Sequence, residues 1–176
     1  GACVGGDIAI VELMIAHGAS DWNGGLRMAC RGGHISIINL LVQHGANDWN
    51  YGLQGACYGG HLSIAELMIR YGATECDDGL YTACRGGHML LIGLMIVHGA
   101  NDWDGGLRAA CQRGQHAAAE LMIKYGATEF NEGLYAACRA WEHELVGLMI
   151  AHGATLCRCG ASIDPHRAVV APIKCE

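Results

Sequence analysis

The chain is short of charge, of proline and of phenylalanine, and it has no long apolar run. Of its 176 residues 52% are hydrophobic and only 16% are charged, which excludes a disordered polar chain. The longest uncharged apolar run, Met89 to Val97, is well short of the roughly 17 to 25 residues of a membrane-spanning helix. The formal charge is -6, and an acidic protein is repelled by phosphate backbones. We therefore expect neither a membrane nor a nucleic-acid partner.

Motifs of catalysis are also lacking. The sequence has no nucleophile elbow, no phosphate-binding glycine loop between a strand and a helix, and no metalloprotease histidine pair. Its Gly-Gly-His triplets recur too regularly to belong to a single active site. We therefore expect a protein that is not an enzyme and that carries no cofactor.

What the sequence does contain is a repeat of 27 residues. Gly-Ala recurs once per period, at Gly18-Ala19, Gly45-Ala46, Gly72-Ala73, Gly99-Ala100, Gly126-Ala127 and Gly153-Ala154. Cysteine after alanine recurs in the same rhythm, at Cys3, Cys30, Cys57, Cys84, Cys111 and Cys138. Such agreement between columns predicts an array of similar units over residues 1–155, followed by a divergent cap or tail over residues 156–176.

Each unit is predicted to be a pair of helices. In the unit Asp21 to Asn47, a first short helix around Gly25 to Arg31 ends at Gly32-Gly33, and an apolar second helix runs from Ile35 to His44. Neither helix is long enough to be stable alone in water. Each pair can bury its apolar face only against the next pair. The predicted fold class is an all-α solenoid of about six helix-turn-helix repeats.

The stretch Gly-Leu-Arg-Met-Ala-Cys-Arg-Gly-Gly-His (25–34), the apolar helix after it and His-Gly-Ala-Asn (44–47) resemble the ankyrin repeat. An ankyrin unit has 33 residues, and the six missing here fall where that family builds its β-hairpin finger. A stub such as Asp48 to Tyr51 is expected as a turn in its place. Such short, Cys-rich units also resemble the ankyrin-like proteins of large DNA viruses. The resemblance implies a protein-binding scaffold, with a partner held on the concave helix face.

The cysteine and histidine columns are predicted to be structural. Equivalent residues in neighbouring repeats lie roughly 8 to 10 Å apart, whereas a disulfide needs Cα atoms within about 7 Å. The column cysteines are therefore expected to be buried thiols in a reducing intracellular compartment. In the tail, Cys157, Cys159, His166 and Cys175 either bind zinc or belong to a merely divergent segment.

Two sets of side chains are candidates for contacting a partner. Arginines of the first helices either complement the helix dipoles or form a basic stripe for an acidic partner. Aromatic residues in the turns either act as binding hot spots or cover the seam between repeats. The candidate partner-binding residues are Arg27, Arg31, Trp49, Tyr58, Tyr81, Arg85, Trp103, Arg108, Tyr135 and Arg139. In the second helices, Gly93 and Gly147 are expected to mark a close contact.

These observations favour two functions. The first is an adaptor or scaffold that binds an acidic protein partner, in the host cytoplasm or the virion if the source is viral. The second is a structural component of a virion or filament, assembled by self-association through the repeat ends.

Overall fold

The computed structural model describes residues 1–155, so the predictions made for residues 156–176 lie outside the described residues. Residues 1–155 form twelve helices, without a strand. The helices are α1 (Ala2–Gly5), α2 (Ile8–Ala16), α3 (Trp22–Gly32), α4 (Ile35–Gln43), α5 (Trp49–Gly59), α6 (Leu62–Arg70), α7 (Cys76–Gly86), α8 (Met89–Val97), α9 (Trp103–Cys111), α10 (His116–Tyr125), α11 (Phe130–Ala140) and α12 (His143–Ala151). Successive helices pair as the first and second helix of each repeat, which confirms the predicted fold class.

The first helices begin three residues earlier than expected. The side chain of Asp48 accepts a hydrogen bond from the Tyr51 backbone N–H at 2.9 Å, and this N-cap starts α5 at Trp49. Asp21 caps α3 in the same way, through the backbone N–H of Gly24. The prediction that Asp48 to Tyr51 form a turn is therefore wrong. Asp48 caps the helix, and the residues after it belong to the first turn of α5.

Glycines let the two helices of a repeat approach closely. A Cβ on Gly52 of α5 would collide with the Sδ atom of Met68 in α6, and Gly79 of α7 stands in the same relation to Met95 of α8. Both methionines are completely buried. The glycine of the first helix is thus the hole into which the methionine of the second helix packs.

Two compact units divide the chain. Gly1–Ala83 together with Leu90–Ala100 form one unit, and Cys84–Met89 with the residues from Asn101 onward form the other. Within the first unit, α3 packs against α5, and the Sγ atom of Cys30 lies 3.9 Å from the Sδ atom of Met68. Within the second, α9 packs against both α10 and α11. None of the helices in residues 1–155 combines the length and hydropathy that crossing a bilayer requires.

One prediction about the second helices is wrong. Gly93 in α8 and Gly147 in α12 are exposed, and a Cβ built on either would have no atom within 4 Å. The expected close contact at these glycines is therefore absent from the structure of residues 1–155, because both lie on the outer side of their helices.

Candidate protein-interaction face

One side of each first helix carries the charged and aromatic candidates. At 100° per residue, the positions occupied by residues 24, 27 and 31 of α3 lie within about 60° of one another, away from the buried Leu26 and Ala29. We call these positions the first-helix face. Their occupants are Gly24, Arg27 and Arg31; Tyr51, Gln54 and Tyr58; Asp78, Tyr81 and Arg85; Gly105, Arg108 and Gln112; and Glu132, Tyr135 and Arg139. Apart from Gly105, none of these residues is buried.

In the first unit, side chains of this face connect one repeat to the next. The guanidinium of Arg27 lies over the ring of Tyr51, 4.8 Å from its centroid, and that of Arg31 lies 4.3 Å from the centroid of Tyr58. Both contacts join α3 to α5. Neither arginine has a carboxylate within ion-pair distance among the described residues. Their charge is therefore stacked on aromatic rings without being neutralised.

The second unit shows a related arrangement within one helix. In α11, the Nη1 atom of Arg139 donates a hydrogen bond to the Tyr135 hydroxyl at 3.4 Å, and the guanidinium is 5.7 Å from that ring. Arg108 lies exposed on the same side of α9. The face therefore carries eight of the ten predicted residues, with Tyr81 and Arg85 half-buried among them.

The remaining two, Trp49 and Trp103, lie on the opposite side of their helices. Trp49 contacts Tyr71 with the ring centroids 4.8 Å apart, and Trp103 stacks on Tyr125 at 5.0 Å. Each pair joins the start of a first helix to the end of the second helix in the same repeat. These ring contacts therefore lie inside a repeat, rather than across the seam between repeats where the sequence placed them.

A column of amide and carboxylate side chains was missed by the sequence interpretation. The Oδ1 atom of Asn50 accepts hydrogen bonds from the backbone N–H groups of Thr74 and Glu75, at 2.7 and 3.1 Å. The same bonds recur one repeat apart, and their acceptors are Asn23, Asn50, Asp104 and Asn131. Each acceptor holds the turn of the next repeat, where the β-hairpin finger is missing. Their signal in the sequence is the Asn or Asp that directly follows Trp22, Trp49, Trp103 and Phe130.

The histidines that open second helices bind the preceding repeat. His34 and His61 are the N-cap residues of α4 and α6. Their Nε2 atoms lie 2.8 Å from the carbonyl oxygen of Val4 and 3.1 Å from that of Arg31, respectively. With its proton on Nε2, each ring donates to that carbonyl. This confirms the prediction that these histidines are structural.

The cysteine column is buried in the core from Cys30 onward, as predicted, whereas Cys3 is only half-buried. Cys30, Cys57, Cys84 and Cys111 are free thiols with no exposed surface, and burial raises the pKa of each to about 12. A neutral, inaccessible thiol is neither a nucleophile nor a metal ligand. Residues 1–155 contain no group of side chains arranged to hold a metal ion. The zinc prediction for Cys157, Cys159, His166 and Cys175 lies outside the described residues.

Pairs of short helices that are joined by tight turns and packed on one another within each unit define a helical repeat protein. Residues 26–52 match the sequence profile of the ankyrin repeat. Ankyrin repeat domains generally mediate protein–protein interactions, and their fold is typically a non-enzymatic scaffold.

The fold is similar to one solved structure in particular, the crystal structure of the human ASB11 ankyrin repeat domain. That likeness has a TM-score of 0.63 and covers 99% of this chain and 91% of the other, at 22% sequence identity. It therefore concerns the fold. A search of curated proteins found no match to the chain.

Proposed function

We propose that this protein is a scaffold that binds an acidic segment of a partner protein through the first-helix face. The observation that carries the proposal is the pair Arg27 and Arg31. Their guanidinium groups lie on the rings of Tyr51 and Tyr58 and have no carboxylate partner among the described residues.

Stacking prepares these arginines for binding. A free arginine side chain has about 2 kcal/mol of rotamer entropy, part of which is already lost when the guanidinium lies on a ring. The planar group still presents N–H donors at its edge, where a carboxylate can accept two parallel hydrogen bonds. Arginine and tyrosine are also among the residue types that dominate binding hot spots. An acidic segment would thus find two preorganised cations one helical turn apart.

Later repeats carry further candidates on their own first helices. Tyr81, Arg85, Arg108, Tyr135 and Arg139 occupy equivalent positions in later repeats. We propose that they contribute contacts of the same kind. Trp49 and Trp103 are assigned a packing role instead, because their rings already contact Tyr71 and Tyr125.

The test is selection of a displayed library of random 12-residue peptides on the folded chain, followed by fluorescence anisotropy of the selected peptides. We expect enrichment of Asp and Glu, and affinity that falls as salt is raised. Arg31→Ala should weaken binding at least about tenfold, which corresponds to about 1.4 kcal/mol. Arg31→Lys should recover only part of it, because lysine lacks the planar fork.

Lys124→Ala is the matched control, since it removes the same charge from an exposed position on the second helix α10. Equal losses in Arg31→Ala and Lys124→Ala would reduce the effect to net charge and contradict the proposed site. Selection of peptides without acidic residues would contradict the proposed partner.

The proposed location is a reducing intracellular compartment, namely the host cytoplasm or virion if the protein is viral. Support comes from the seven cysteines of residues 1–155, none of which forms a disulfide.

A further inference from the structure

The outer side of α8 is unlike that of any other second helix in residues 1–155. Its outward positions hold Leu90, Gly93 and Val97, and Leu90 and Val97 are 76% and 81% exposed. The equivalent positions of α6 hold Ser63, Glu66 and Arg70. No other second helix described has two large apolar side chains in these places, and these two are the most exposed of the large apolar residues in positions 1–155.

Gly93, between these two protruding side chains, leaves a gap on the same side of α8. Nothing lies within 4 Å of where a Cβ on Gly93 would be. In the interior of an exposed helix this glycine costs up to about 1 kcal/mol relative to alanine and packs against nothing in its own chain. A hole of this kind, one turn from an exposed valine, suits close packing against another helix.

The neighbouring helix α6 adds charges with the same spacing. Glu66 and Arg70 are both exposed, and neither forms an ion pair in the described residues. They lie one 27-residue repeat before Gly93 and Val97, so the two pairs occupy equivalent levels of adjacent second helices. Each pair therefore combines two complementary residues four positions apart. Arg70 is opposite in charge to Glu66, and the side chain of Val97 fits the open space at Gly93.

We propose that this face is the interface of a symmetric homodimer in which α8 of one copy packs antiparallel against α8 of the other. A two-fold axis at the level of Met95 places Val97 of each copy opposite Gly93 of the other. Because Met68 is the equivalent of Met95 in α6, the same axis places Arg70 of each copy opposite Glu66 of the other. A second copy is the occupant that satisfies the apolar and the charged pair with one operation, since two-fold interfaces are self-complementary.

The interface is small, so we expect a reversible dimer with a dissociation constant in the micromolar range or weaker. Sedimentation equilibrium over a wide concentration range should show a mass that rises from 18.6 kDa toward twice that value. Val97→Lys and Gly93→Gln should each hold the chain at the monomer mass. Gly147→Gln is the matched control on α12. It should dimerise like the wild type, because its site is equally open but the outward positions beside it hold Glu144 and Ala151 instead of two large apolar side chains.

Charge reversal tests the two-fold arrangement itself. Glu66→Lys and Arg70→Glu should each weaken the dimer, because each places like charges opposite one another. The double variant Glu66→Lys with Arg70→Glu should restore it. A chain that stays monomeric at millimolar concentration would overturn the proposal, and so would a dimer that survives Val97→Lys. Growth into longer oligomers would also overturn it, and would indicate stacking through the repeat ends instead.

Discussion

Glycine is expected to have opposite effects on stability at two helical positions of this chain. Gly147 lies in the interior of α12 (His143–Ala151), is exposed, and has open space where a Cβ would be. Gly55 lies in the interior of α5 (Trp49–Gly59), and a Cβ there would collide with the backbone carbonyl oxygen of Arg27 in α3. The same substitution to alanine therefore tests how closely the repeats pack.

At Gly147 only helix propensity changes. Alanine in place of glycine stabilises an exposed helix interior by about 0.8–1.0 kcal/mol. For a chain of this length, 1 kcal/mol corresponds to a shift in the melting temperature of about 2–4 °C. Gly147→Ala should therefore raise the melting temperature by a few degrees.

At Gly55 the same propensity gain is outweighed by overlap. The added Cβ would lie 3.1 Å from the Arg27 carbonyl carbon and 3.3 Å from its Cα atom, and closer still to the carbonyl oxygen. Backbone atoms cannot rotate away, so α3 and α5 must separate. Overpacking of this kind costs about 1–3 kcal/mol or more, and we expect a net loss of stability.

Urea unfolding followed by circular dichroism measures both variants, and hydrogen exchange of the 143–151 segment reports α12 separately. Gly93→Ala, studied at concentrations where the chain is monomeric, should repeat the gain of Gly147→Ala. A stability loss in Gly147→Ala, or a gain in Gly55→Ala, would refute the packing described here.

Three further predictions concern other columns of the repeat. Asn50→Leu should destabilise the chain by about 1–2 kcal/mol in urea unfolding, because two backbone N–H groups lose their acceptor. Asn50→Asp should not, since Asp104 forms the same bonds. Trp141 has a φ of 61° where earlier repeats have glycine, so Trp141→Gly should raise thermal stability by about 1 kcal/mol. Burial raises the pKa of the Cys57 thiol from 9.0 to about 12, so between these pH values the thiol ionises only in the unfolded chain. The contribution of this thiol to the free energy of unfolding should therefore be fully present below pH 9.0 and should be lost as the pH rises toward 12. Urea midpoints at pH 8 and 10.5 should show this fall, and Cys57→Ala should make it less steep.

Each of these three predictions can be contradicted by a specific result. Equal effects of Leu and Asp at position 50 would contradict the bridging bonds. A loss of stability in Trp141→Gly would mean that the indole packs well enough to outweigh its backbone strain. A fall between pH 8 and 10.5 that is equally steep in Cys57→Ala would contradict the assignment to this thiol.

The sequence by itself determined the repeat, its helix pairs and its fold class. A period of 27 residues with Gly-Ala at each helix end leaves few alternatives, because short apolar helices must pack on their neighbours. The absence of disulfides between Cys3 and Cys138 also followed from the sequence, since equal spacing separates equivalent cysteines too far for a disulfide.

Only the tertiary structure decided which side chains meet. The sequence placed Trp49 in a turn, but the Asp48 cap draws it into α5 and against Tyr71. Likewise, Arg31 and Tyr58 are 27 residues apart in the chain, and only the packing of α3 on α5 brings them within 4.3 Å. A column gives the position of a residue along its repeat, whereas contacts depend on the rotation of each helix about its axis. That rotation depends on close approaches between neighbouring helices, such as Gly55 of α5 against the backbone of Arg27 in α3, and these are seen only in the structure.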